Sequence, residues 1–378
     1  MPRLASYFGM VAALILGAFI IAFSNHAISP YIPAAVTPAA SSTLFTLPGP
    51  AGQSSTSQGP DSKKSIEAIS SEQGAMPAPV SKSAEPAATL PVPGVAASPA
   101  PDLAALDISA SALRNALVNI ICYAPAGSDL HSISGSGIFI DPKGVILTNA
   151  HIAQYFLLAD RGVSCTIRSG SPATARYSAK LIFISPAWIH ANADLLTATA
   201  PSGTGEYDFA FLAVSGSAAG TVSPSPFPFV PLATTPPPAG APVAIASYGA
   251  QFLKPNQVQS DLFPTLVFGS VKSVYTFGTN TIDVLALGGS AAAQEGSSGG
   301  GVADAAGDLV GTITTSTTEG ATVSRSLNAI TASYIRADYA SETGRPLDLL
   351  LAGATSTEAS DFAPEIPALE SALTASLP

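Results

Sequence analysis

The stretch GSGIFIDPKGVILTNAH, residues 135–151, decides the architecture. Two apolar runs, 135–140 and 145–148, bracket Asp141, Pro142, Lys143 and Gly144. Pro142 presets φ at one turn corner and Gly144 accepts a left-handed one, so the stretch reads as a β-hairpin. The hairpin ends on Asn149, Ala150 and His151, which puts an imidazole just beyond a strand.

Outward from this hairpin the chain keeps the same texture. Short β-rich runs fall at 118–123, 164–168, 179–183, 209–214, 243–247, 266–274, 281–287 and 309–315. Many short strands punctuated by Gly and Pro point to an all-β sandwich or barrel. A lead-in at 109–117 and an amphipathic segment at 327–341 read as helices.

The flanks differ. Residues 7–24 (YFGMVAALILGAFIIAFS) carry no charge and are long enough to cross a bilayer core. Arg3 precedes them and no Lys or Arg follows until Lys63, which orients the N-terminus to the cytoplasm and exports the rest. We read residues 1–26 as a membrane anchor; the alternative is a cleaved signal peptide, whose apolar core is typically shorter. Either places the following chain in the periplasm or outside the cell. Residues 27–107 are rich in Pro, Ala, Ser and Thr and poor in aromatics, the composition of a disordered linker. The domain they tether is expected over 108–343, and 344–378 reads as an acidic, disordered tail.

The net charge of −10 argues against a nucleic-acid partner, which needs a basic face. The four histidines are scattered and no Cys-x-x-Cys occurs, so no metal or cofactor is implied. What remains is a nucleophile constellation. EGSSGGG, residues 295–301, sets Ser298 in a glycine-rich turn. Such a turn can aim the backbone N–H groups of Gly296 and Ser298 at a developing oxyanion. Serine is a poor nucleophile unless a base takes its proton. His151 supplies that base, and a carboxylate must then hold the ring's tautomer. Asp208, opening the apolar run YDFAFL at 207–212, is preferred over Asp194 in ANADLL at 191–196. The chain order His, Asp, Ser is not that of α/β-hydrolases.

These segments carry a resemblance. Residues 135–151 closely resemble the histidine-bearing segment of HtrA/DegP-like proteases within the trypsin-like superfamily. YDFAFLAV at 207–214 is similar to their Asp-x-Ala-x-Leu strand, and GSSGGG at 296–301 with LVGT at 309–312 resembles their serine segment and next hairpin. The resemblance spans about 110–340. It implies two perpendicular six-stranded antiparallel β-barrels of the chymotrypsin/trypsin type, a C-terminal helix, and the triad in the cleft between barrels. It also implies an endopeptidase acting on protein or peptide substrates through an acyl-enzyme. The rival reading is a non-catalytic, protease-fold peptide-binding module at the cell surface.

Besides the competing Asp194, two departures matter. Ser297 stands where trypsin has Asp and HtrA proteins usually Asn, so zymogen activation by a new N-terminus is not expected. The residues after the last expected helix are too few for a PDZ domain, so peptide-triggered regulation is not expected either. In the trypsin-like pattern the residue six before the nucleophile floors the primary specificity pocket; the resemblance puts Ala292 there, between Ala291 and Ala293. With no carboxylate there, cleavage after small or medium apolar residues is expected rather than after Lys or Arg. Glu295 falls at the pocket rim or on a solvated loop. In the resemblance Cys122 and Cys165 lie on the first and fourth strands, which are neighbours; export permits a disulfide, and two buried thiols are the alternative. His131 and His190 read as loop residues and Trp188 as packing.

Overall fold

A computed structural model describes residues 103–198, 203–278, 280–375 and Leu377. The expected anchor over 1–26, and the linker as far as residue 102, lie outside the described residues. No described helix is long and apolar enough to cross a membrane.

The first described element corrects a boundary. Residues 103–107, assigned above to the linker, open helix α1 (Leu103–Ala116). Leu106, Ala110 and Leu113 recur at i, i+4 and i+7 and are buried against the second sheet described below. Composition hid this turn because only Leu106 of its apolar residues is buried, while Leu103 and Ile108 face outward.

Strands β1 (Leu117–Tyr123), β2 (Ile133–Asp141) and β3 (Val145–Thr148) follow. The β2–β3 turn closes through Gly144 N–H to Asp141 O at 3.1 Å, with Gly144 at φ +92°. Helix α2 (Ala150–Ala153) carries His151 and runs into a 3-10 stretch, Gln154–Arg161. Then come β4 (Ser164–Ser169), β5 (Thr174–Ile184), α3 (Pro186–Asn192) and β6 (Ala210–Ser217). The six strands close into an antiparallel barrel in the order β1-β2-β3-β6-β5-β4. Its interior is aliphatic, with Val118, Ile120, Ile138, Ile146 and Ile167 fully buried. Cys122 and Cys165 face each other across β1 and β4 and are joined by a disulfide.

The second half holds β7 (Pro242–Ser247), α4 (Pro255–Ser260), β8 (Thr265–Ser270), β9 (Ser273–Tyr275), β10 (Val284–Ala286), β11 (Gly301–Ala303), β12 (Leu309–Ser316) and β13 (Leu327–Thr331). They form one seven-stranded antiparallel sheet, β8-β7-β11-β12-β13-β10-β9, where a second six-stranded barrel was expected. The run at 266–274 is the reason. It bends at Val271 and Lys272, whose N–H groups bond Ala241 O and Ala286 O respectively. One run of chain thereby supplies both end strands of the sheet, which gives it a barrel-like curl. The 281–287 run shortens because the Asp283 carboxylate accepts from Thr276, Phe277 N–H and Thr281, making a turn of its start.

Two C-terminal readings are corrected. Residues 327–341 are not one helix. LNAIT, fully buried, pairs as β13 between β12 and β10, and helix α5 (Ala332–Thr343) starts only where the Thr331 side chain accepts the Tyr334 N–H. Burial in the sheet overrides the helical pattern. The expected disordered tail over 344–378 is corrected for its described residues, which hold α6 (Leu347–Ala352), α7 (Thr355–Phe362) and α8 (Ile366–Thr374). Their leucines sit at helical spacing, Leu347 with Leu350 and Leu369 with Leu373, and all four are buried. Helix α7 lies on β5 and β6, with Phe362 6.3 Å from Phe183, and α8 lies on α3. The acidic count concealed this apolar face.

Candidate active site

His151, Glu295, Gly296 and Ser298 line one cleft of about 180 Å³ between the two sheets. The rest of its wall is mainly apolar: Ile121, Ile133, Ile152, Leu195, Leu196 and Leu253 contribute. His131, read from sequence as a loop residue, also lines it.

His151 is positioned by the hairpin and by Asp208. Its backbone N–H donates to Asp208 Oδ1 at 3.0 Å, and its ring Nδ1 lies 2.8 Å from Oδ2. Thr314 of β12 donates its hydroxyl to the same Oδ2 at 2.6 Å. The Asp208 side chain is wholly buried, so these donors replace the water it has lost. Asn149 reaches across to donate to Asp208 O at 2.9 Å. With Nδ1–H turned to the carboxylate, Nε2 is the ring's acceptor. Asp208, not Asp194, receives this ring nitrogen; Asp194 sits on the 3-10 turn Ala193–Leu196. The residue before Asp208 is strained: Tyr207 has φ +59°, a left-handed conformation rare for a bulky side chain. Tyr334 of α5 accepts the Tyr207 N–H at 3.1 Å and helps to hold it there.

Ser298 sits on a turn that only glycine permits at two places. A Cβ on Gly299 would stand 1.9 Å from Ser136 O, and one on Gly296, φ +89°, would stand 2.7 Å from Tyr248 O. Ser297, Gly299 and Gly300 give their N–H groups to Gln294, Ile313 and Ser297. Among the described residues the N–H groups of Gly296 and Ser298 have no such backbone acceptor. The buried Ser297 accepts a hydrogen bond from Ser247 Oγ at 3.0 Å.

Ala292 and Ala293, which precede the Ser298 turn, are fully buried. The buried Arg325 guanidinium fixes this segment by donating to Ala293 O, Gly320 O and Gln251 Oε1. Phe252 covers the guanidinium at 5.7 Å. Burial pushes the Glu295 carboxyl above the usual carboxylate range, and Arg325 partly offsets that. Sequence reasoning missed Thr314, Ser136 and Arg325. Thr314 lies in TITTST, where nothing marks one threonine from the next, and Arg325 is a single charge in a loop.

Residues 135–311 match the family model of the trypsin-like peptidase domain, an arc that contains His151, Asp208 and Ser298. This stretch is a trypsin-like peptidase domain, and the protein is a serine protease acting on protein or peptide substrates. Among solved structures, the active form of the Rv3671c protease from M. tuberculosis is similar at 21% identity, over 70% of this chain and 96% of that one, with a TM-score of 0.41. The inactive form of that protease gives 20%, 64%, 97% and 0.41. Deg5 gives 15%, 62%, 91% and 0.41. No curated protein matches the chain.

Proposed function

We propose that the chain is an exported, membrane-tethered endopeptidase that cleaves peptide bonds with Ser298, His151 and Asp208. The observation that carries the reading is the His151–Asp208 pair, 2.8 Å apart, with the carboxylate buried and the half-buried ring lining the same cleft as Ser298. His151 Nε2 takes the Ser298 proton as Oγ attacks the scissile carbonyl, then returns it to the leaving amine. Asp208 holds the tautomer and stabilises the imidazolium. The unspent N–H groups of Gly296 and Ser298 receive the oxyanion. Water then resolves the acyl-enzyme through the same base.

The alanines at 291–293 support cleavage after small or medium apolar residues, since they bring no carboxylate to pair with Lys or Arg. The uncharged run at 7–24 supports the tether and the export.

A fluorophosphonate probe tests the nucleophile. It labels the wild-type protein and not Ser298→Ala, which also loses peptide cleavage by about 10⁴-fold or more. A folded wild type that never labels would leave a peptide-binding module instead. Peptide-library profiling tests the pocket, and a profile dominated by Lys or Arg before the cut overturns it. A mature N-terminus starting near residue 25 to 30 would replace the tether by a cleaved signal peptide.

A further inference from the structure

Ser136 lies in the first barrel, 160 residues from Gly296, yet it touches the nucleophile turn three ways. It is wholly buried on β2. Its N–H donates to Ser298 O at 2.7 Å. Its Oγ accepts the Tyr248 N–H at 2.8 Å and donates to Gly296 O at 2.8 Å. Its carbonyl accepts the Thr148 hydroxyl at 2.8 Å and faces Gly299 where any Cβ would collide. The polarity of the hydroxyl is forced. Tyr248 N can only donate and Gly296 O can only accept, so the single Ser136 Oγ–H must go to Gly296.

That bond bears on the oxyanion donors. The peptide before Gly296 is pinned because Glu295 O accepts the Ala250 N–H at 2.8 Å. In a planar trans peptide the Gly296 N–H then points the opposite way. The peptide after Gly296 is pinned by Ser136 Oγ on one edge and by Ser297 N–H to Gln294 O at 3.2 Å on the other. Gly296, at φ +89°, is therefore the pivot between two fixed planes. Glycine turns freely about such a pivot unless both planes are held.

We infer that Ser136 is a positioning residue for the oxyanion hole: its hydroxyl holds the Gly296–Ser297 peptide plane, the link between the Gly296 N–H, which the Glu295–Ala250 bond aims, and the Ser298 N–H, and so keeps the two donors in register. This rests on the reading of Ser298 as nucleophile with Gly296 and Ser298 N–H as oxyanion donors. Deleting the hydroxyl orphans two backbone groups, Tyr248 N–H and Gly296 O, and leaves the plane after the pivot held on one edge only, by Ser297 N–H. Oxyanion donors act on charge that develops only as the carbonyl is attacked, so the loss falls on the transition state.

The test is steady-state kinetics of the full chain on a chromogenic peptide, with a matching peptide aldehyde as a tetrahedral-adduct inhibitor. In Ser136→Ala, kcat falls about 10- to 100-fold, less than outright loss of an oxyanion donor, while KM stays within about twofold. The aldehyde's Ki rises by about the factor that kcat/KM loses. Ser136→Thr, which restores a hydroxyl, recovers most of kcat. Ser136→Gly, which adds no volume, gives the same readout should the alanine variant not fold. An unchanged kcat, or a rise in KM with unchanged aldehyde affinity, overturns the inference and leaves Ser136 a packing residue. A wild type that fluorophosphonate does not label, or a Ser298→Ala protein that still cleaves, overturns the nucleophile reading and this inference with it. Labelling that depends on Ser298 beside an indifferent Ser136→Ala overturns the inference alone.

Discussion

His151 and Asp208 come from the first barrel and Ser298 from the second sheet, and the two halves hold them by different means. The first uses side chains. A buried carboxylate gathers a ring nitrogen, a backbone N–H and the Thr314 hydroxyl, and each bond can be removed by one substitution. The second uses main chain. The turn at 295–300 is tied through its carbonyls and N–H groups, to Ala250, Ile313 and Ser136, and glycine shape decides where it sits. A site half built of side chains has local, graded sensitivity there. The half built of backbone is sensitive to whatever touches its peptide planes.

Four measurements break or sharpen that contrast. The largest effect is expected for Asp208→Asn. It keeps the shape but leaves His151 in the wrong tautomer, and kcat should fall about 10⁴-fold with the fold intact by circular dichroism. A loss below tenfold would mean that the carboxylate only organises α2. Next is the disulfide. Cys122 and Cys165 close a loop of 43 residues wholly inside the first barrel. Replacing both with Ser should lower unfolding stability by ~2–4 kcal/mol in denaturant titration, with kcat nearly unchanged below the transition. A loss of kcat without loss of stability would show that the bond acts on the site and not on the barrel. Third, Thr314→Val removes one hydroxyl bond to a buried carboxylate, of the kind worth ~1.5–3 kcal/mol. The expected cost in kcat/KM is roughly tenfold, and it should vanish in the Asp208→Asn background, because the two act on one oxygen.

The smallest effect is at the seam. Asp338 and Glu342 lie on α5, and Glu342 accepts a 2.6 Å hydrogen bond from Ser185 at the end of β5. Burial, then the neighbouring Glu342 and then Glu206, push the Asp338 carboxyl up to about 7. An acid whose folded pKa is raised holds its proton in the folded state after the unfolded state has released it. Its contribution to stability is full below the unfolded value and is lost as pH rises through about 7. Asp338→Asn should therefore flatten the fall in Tm between about pH 4 and 8. Parallel Tm curves for the two proteins would show that this acid does not couple to the fold.

Much of the first barrel was legible. Its hairpin carries a turn with a mechanism, and its strands show as short β-rich runs set off by turn residues. The second sheet was less so. β11 has three residues beginning with glycine, directly after the Ser298 turn, and has no period to detect. β13 mimicked a helix because its sequence runs without a break into α5, and only pairing with β10 and β12 sets it apart. The C-terminal helices were missed because charge was weighed and leucine spacing was not. At the site, the residues whose chemistry is unusual stood out: a histidine after a hairpin, an acid before a strand, a serine among glycines. The supports did not, since Thr314, Ser136 and Arg325 are ordinary residue types made important by partners more than 30 residues away in sequence.

The left-handed backbone of Tyr207 has an evolutionary corollary. Holding a bulky residue there costs about 1–3 kcal/mol, which glycine or asparagine would relieve. Selection for heat resistance alone would therefore favour either residue at this position. The same exchange would remove the aromatic that abuts Asp208 and give the acid-bearing loop more freedom. Variants made hardier at 207 are thus expected to turn over more slowly, a trade between endurance and speed lodged in one dihedral angle.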